Sequence, residues 1–132
     1  LVTLRDINSL LKTFVEFEFI YHIPGEYEGN ELKITFHENN QVVTTLTIDW
    51  TNITLNHFIQ LMKDFPGEKY KKHFTHFDKD FELQWLHEYG SDLYILYFEY
   101  KGLFLPPIKV NKEILHTFGD ALENEMHSAP KL

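Results

Sequence analysis

The stretch LTIDWTNITLNHFIQLM, Leu46 to Met62, decides the fold, because its pattern changes partway along. Up to Trp50 the residues belong to a run from Val42 rich in β-branched side chains, which reads as a strand. Beyond Thr54, which can cap a helix, Leu55, Phe58, Ile59, Met62 and Phe65 recur at helical spacing until Pro66-Gly67 stops them. A strand running from Val42 to Trp50 therefore leads into an amphipathic helix.

Upstream, Val15, Phe17, Phe19, Tyr21 and Ile23 alternate with Glu16, Glu18, Ile20 and His22, which predicts a strand with a strongly apolar face. Pro24-Gly25 ends it, and residues 24–30 form an acidic loop. Leu32, Ile34 and Phe36 alternate with Lys33, Thr35 and His37 as a second strand, joined to Val42–Trp50 by the turn Glu38-Asn39-Asn40-Gln41. Leu4, Ile7, Leu11 and Phe14 stand at helical spacing behind Thr3, so a short N-terminal helix is expected over 4–12.

Downstream, residues 68–79 lack a clean period and read as a connector. Strands resume at Phe81–Tyr89 and Leu93–Tyr100, followed by a run from Leu103 to Val110 that Pro106-Pro107 confines to an edge or a bulge. Asn111 caps a last helix carrying Ile114, Leu115, Phe118 and Leu122, and the tail 128–132 is expected to fray. The order is βββα, connector, βββα. It predicts a single α+β domain over 1–132, with one antiparallel sheet of about six strands and two main helices on one face.

Composition narrows the function. The chain has 132 residues, enough for one core, and its twelve Phe and seven Tyr rule out a disordered chain. Twelve basic against twenty acidic residues give a net charge of −8, which repels phosphate backbones and makes nucleic acid an unfavoured partner. The absence of cysteine removes thiolate chemistry and disulfides. No apolar run reaches membrane-span length and no secretory pattern opens the chain, so a cytoplasmic protein with no membrane role is expected. The sequon Asn52-Ile53-Thr54 then reads as chance.

No phosphate loop, nucleophile elbow or dinucleotide fingerprint is present, and no catalytic residue, cofactor or metal is assigned. His73, His76 and Asp78 have a spacing that could hold a divalent ion, but eight histidines make such a pair common by chance. Lys69, Lys71 and Lys72 with Tyr70 and Phe74 form a short basic patch surrounded by acid. Trp50 and Trp85 read as core packing, with a small-ligand pocket as the alternative.

The surface signal is stronger. Leu93–Tyr100 is apolar on both faces, so either Leu93, Ile95 and Tyr97 or Tyr94, Leu96, Phe98 and Tyr100 remain for an interface, with a partner or in a homodimer. Glu16 and Glu18 oppose the apolar face of their strand. If Glu82, Glu88 and Glu99 share that open face, an acidic sheet with interleaved aromatics such as Tyr97 results, suited to a basic protein. The loop residues Glu26, Glu28 and Glu31 offer a second acidic surface.

The acidic balance, the missing cysteines, the βββα order and the segment Leu46–Met62 together resemble the small bacterial immunity proteins that neutralise polymorphic or contact-dependent toxins. The likeness covers most of the chain at the level of architecture. It implies a non-enzymatic inhibitor whose acidic surface caps the active site of a toxin domain. It assigns no individual residue.

Overall fold

A computed structural model describes residues 1–8, 10, 12–67, 72–75 and 80–132, with Thr75 described by its backbone alone. The fold is α+β, with two helices and two antiparallel sheets in place of the single six-stranded sheet expected. The first sheet runs β1 (Val2–Arg5), β2 (Phe14–His22), β3 (Gly29–Glu38) and β4 (Gln41–Thr51) in spatial order. Helix α1 (Asn52–Asp64) follows β4 without a loop. The second sheet contains β5 (His73–Thr75), β6 (Phe81–His87), β7 (Leu93–Tyr100), β8 (Leu103–Phe104) and β9 (Ile108–Asn111), and α2 (Lys112–Ser128) completes the order.

Local chemistry explains most boundaries. The β3–β4 turn has Asn39 and Asn40 at φ 54° and 63°, a left-handed pair that asparagine tolerates and that matches strand twist. Helix α1 begins three residues earlier than the Thr54 cap predicts. Thr51 is the cap, its Oγ1 accepting from the Thr54 backbone N–H at 3.2 Å. At α2 the expected cap holds, with Asn111 Oδ1 accepting from the Ile114 N–H at 2.8 Å. Pro106-Pro107 divides the Leu103–Val110 run into β8 and β9, which pair with the two ends of β7 on one flank.

The N-terminal helix is corrected to strand β1. Val2 and Leu4 point into the core while Thr3 and Arg5 point outward, a period of two that pairs Val2–Arg5 with Phe17–Phe14. The helical spacing of Leu4, Ile7 and Phe14 is coincidental, and Leu11 lies outside the described residues. The expected connector contains β5, whose Phe74 is buried. The tail read as frayed is tied down at Pro130, whose carbonyl accepts from the His22 N–H at 2.8 Å.

The inward faces of both sheets and both helices share one core. Phe36 of β3 meets Phe98 of β7 at 5.5 Å between ring centroids, and Trp50 of β4 meets Phe81 of β6 at 5.9 Å. The helices approach closely at Gly119, where a Cβ would come within 2.9 Å of Met62 Cβ. The two sheets also meet along one seam, where the Ile7 N–H donates to the Lys109 carbonyl at 2.7 Å. There the Asp6 carboxylate, only 7% exposed as a residue, accepts from the Asn8 N–H at 2.7 Å and the Lys109 N–H at 2.9 Å.

Two predictions follow the burial. Asp6→Ala strips an anionic acceptor from two backbone donors, and should cost about 2–3 kcal/mol in urea denaturation. A loss below about 0.5 kcal/mol would show the seam to be dispensable. For His22, burial first, then the charges of His127 and Lys131, lower the pKa from its ordinary value of 6.5. The folded state thus favours neutral imidazole, and His22's contribution is present above the unfolded pKa. It is lost as pH falls through 6.5 toward the lower folded value. His22→Gln should flatten the loss of stability as pH falls from 7 to 5.5; an unchanged profile contradicts this.

Candidate functional site

Because the helices cover the inward faces, the outward faces of both sheets meet solvent. On β6 the residues Phe81, Leu83 and Trp85 point inward, and Glu82, Gln84 and Leu86 outward. On β7 the inward set includes Leu96 and Phe98, with Tyr94 and Tyr100 packed against the core, so Ile95, Tyr97 and Glu99 face outward. The strand that reads as apolar on both sides therefore presents Ile95 and Tyr97 on the open side. Register sets Leu86 opposite Ile95 and Phe104 opposite Glu99.

Leu86 and Phe104 are 55% and 70% exposed, and with Ile95 and Tyr97 they form an apolar patch. Local structure fixes Phe104. The Leu105 N–H donates to the Phe98 carbonyl at 2.9 Å and turns Leu105 into the core, which leaves Phe104 on the outside. Two shallow depressions flank Tyr97. His73, Gln84, Leu86 and Phe104 line one; Asn8, Ile95, Pro107 and Lys109 line the other.

The charge around this patch is only partly compensated. Glu82 and Glu99 stand directly across β6 and β7, an arrangement that repels and costs stability. His73 Nε2 lies 3.9 Å from Glu82 Oε2, and among the described residues Glu99 has no ion-pair partner. Glu88, in the turn after β6, lies 3.5 Å from Lys109 Nζ.

On the outward face of the first sheet several of the charges are matched within the chain. Glu16 Oε1 lies 2.7 Å from His37 Nε2, and Glu18 stands across from Lys33. Phe14 stacks on His37 at 4.2 Å and carries the Arg5 guanidinium 4.5 Å from its centroid. The acidic residues therefore do not share one open face: Glu16 and Glu18 belong to one sheet, Glu82 and Glu99 to the other. On β3 and β4, Glu31 stands across from Asp49. A side-chain hydrogen bond from the protonated Glu31 carboxyl to Asp49 raises the Glu31 pKa, helped by desolvation and by the Asp49 charge.

The acidic loop is rigidly based. Asn52 Nδ2 donates to the Ile23 and Gly25 carbonyls at 2.8 and 2.7 Å, and Asn30 Nδ2 donates to Asn52 Oδ1 at 2.9 Å. This buried amide pair clamps the loop base and leaves Glu26, Tyr27 and Glu28 exposed. It also occupies the sequon asparagine.

The remaining sequence candidates fall away from these surfaces. Of the histidine–aspartate set only His73 is described; His76 and Asp78 lie outside the described residues, as do Lys69, Tyr70 and Lys71. No group of three metal-ligating side chains occurs among the described residues. Phe74 is buried against Trp50 and Phe58, so it offers no stacking surface. Both tryptophans are core residues, Trp50 against Phe58 and Trp85 against Phe65. No described helix is long and apolar enough to cross a membrane.

Sequence reasoning missed Phe104, Leu86 and the Asn30–Asn52 pair. For Phe104 a signal existed, since a strand cut to two residues by Pro106-Pro107 exposes its side chains. The amide pair joins residues 22 positions apart and leaves no local pattern. No family model matches the chain, and neither a curated protein nor a solved structure matches it.

Asn52→Ala removes both loop bonds and the acceptor of Asn30. It should cost about 2–3 kcal/mol and speed amide exchange at Glu28, whose N–H donates to the Gly25 carbonyl. Unaltered exchange at Glu28 would mean the loop does not depend on the clamp.

Proposed function

We propose that this chain is a non-enzymatic protein-binding domain, an immunity-type inhibitor that docks on a basic toxin or effector domain through the outward face of β6, β7 and β8. One observation carries the reading. An apolar patch of Leu86, Ile95, Tyr97 and Phe104 lies exposed beside Glu82 and Glu99, two carboxylates that repel each other across adjacent strands. Exposed apolar area of this kind gains free energy when covered. A cation brought by the partner relieves the Glu82–Glu99 repulsion at the same moment. A net charge of −8 steers a basic partner toward the encounter.

The roles divide by chemistry. Phe104 and Tyr97 act as anchors, since large aromatics desolvated at an interface supply most of its affinity. Glu82 and Glu99 set partner choice and association rate. Glu16 and Glu18 contribute less, because His37 and Lys33 already answer their charge. Glu26, Glu28 and Glu31, with Glu88, extend the acidic field around the docking face.

The test is calorimetric titration and stopped-flow association against any toxin domain that a neighbouring gene encodes. Phe104→Ala should weaken binding about 30-fold, the size of an anchor loss. Glu82→Lys with Glu99→Lys should slow association about 10-fold and flatten its salt dependence, while Glu16→Lys with Glu18→Lys does less. Absence of binding to that domain overturns the immunity reading. A larger loss at Glu16 and Glu18 than at Glu82 and Glu99 moves the site to the first sheet.

A further inference from the structure

Strand β4 carries a second surface that the acidic, aromatic face does not explain. Among the described residues β4 pairs with β3 alone, so backbone groups along its other side face outward. The opposite edge of the same sheet, β1, is continued by Asp6 and Ile7 into contact with Lys109. The β1 edge is four residues long and flanked by α2, so β4, with eleven, is the longer open edge of the first sheet.

Soluble proteins guard such an edge with charge, proline, a bulge or shortness. β4 spans eleven residues, and over Gln41–Ile48 it reads QVVTTLTI, with no charge, proline or glycine. Its single register shift lies at the His37–Val42 end, and pairing with β3 is regular from Thr44 to Thr51. Val42 and Val43 are 60% and 49% exposed, and Thr45 and Thr47 are exposed as well. The edge strand of the second sheet, β5, has only three residues.

We propose that β4 pairs antiparallel with β4 of a second copy of this chain about a two-fold axis at Thr45, joining two four-stranded sheets into one. Charge selects this occupant and this direction. Two copies at −8 each repel, so self-association needs a neutral contact, and Gln41–Ile48 is an uncharged run. In this register Asp49 faces Gln41 of the second copy, Val43 faces Thr47, and Thr45 faces its own counterpart. No like charges meet. A parallel in-register pair would set Asp49 against Asp49. A basic strand would find no carboxylate along Gln41–Ile48 to attract it. Threonine pairs across the axis suit an antiparallel ladder.

The chain has no cysteine, so one substitution reads the axis directly. Residues facing each other across an antiparallel pair have Cβ atoms about 4.5–5.5 Å apart, close to what a disulfide needs. Thr45→Cys should form a covalent dimer under mild oxidation at least about 10-fold faster than Thr3→Cys on the opposite edge. Sedimentation of the unmodified chain should show a dimer that tightens with added salt, which screens the −8 repulsion. Thr45→Lys should be monomeric with an unchanged circular dichroism spectrum, whereas Phe104→Asp should leave the dimer intact. Equal oxidation rates at Thr45→Cys and Thr3→Cys overturn the proposal. So does a monomer at every concentration, or a dimer lost in Phe104→Asp and kept in Thr45→Lys. None of these results depends on the toxin-binding reading.

Discussion

The ring of Phe58 is the contact on which the architecture depends. It lies 6.0 Å from Phe17 of the first sheet, 5.3 Å from Trp50, 5.3 Å from Phe74 and 6.5 Å from Phe81 of the second, and 6.5 Å from Phe118 of α2. One helix residue thus touches both sheets and the other helix. Burying a phenylalanine releases about 1.5–3 kcal/mol, and edge-on aromatic neighbours add to it. The consequence is geometric as well. With both inward faces committed to this cluster, only the outward faces and the edges remain for any partner.

This commitment also explains what the sequence made legible. Strands with strict alternation, such as Leu32–His37, and the capped stripe Leu55–Phe65 announce themselves, because burial on one side imposes a period. The helix N-cap at Asn111 was readable for the same local reason. The division into two sheets was not, since it depends on short elements with no period to show: β1 with four residues, β5 with three, β8 with two. The Asp6 seam joins positions 103 apart in the chain, and a carboxylate accepting backbone N–H groups looks like any surface aspartate in sequence. The acidic candidates suffered accordingly. Glu16, Glu18, Glu82 and Glu99 all alternate with apolar neighbours, yet periodicity says only that each faces outward, never which sheet it faces outward from.

The two outward faces differ in how their charge is answered. On the first sheet His37 and Lys33 meet Glu16 and Glu18, and Arg5 lies on Phe14, while Glu31 and Asp49 stand across from each other away from any exposed aromatic patch. On the second, Glu82 and Glu99 oppose each other beside exposed Phe104. A sequence selected for stability alone would replace one of these glutamates, because like charges directly across a ladder are unfavourable. On the docking reading proposed above, the same carboxylates gain a counter-charge and the same rings lose water. Stability is then given up locally for recognition, as functional surfaces often require.

The neutral edge of β4 and the acidic face of β6–β8 fit together functionally. No residue of Gln41–Asp49 lines either depression beside Tyr97, so occupancy of the edge leaves that face open. A β4-paired dimer would present two identical acidic, aromatic faces on one rigid body. Rigidity matters, because β4 continues into α1 without a loop and α1 carries Phe58 into the shared core. Against a target that is itself paired, the second contact becomes intramolecular and apparent affinity rises about 100-fold or more without any new interaction. Against a monomeric target the dimer gains nothing per site. The proposed edge and face contacts are thus separable by chemistry, one neutral and backbone-driven, the other charged and side-chain-driven, and neither proposal requires the other.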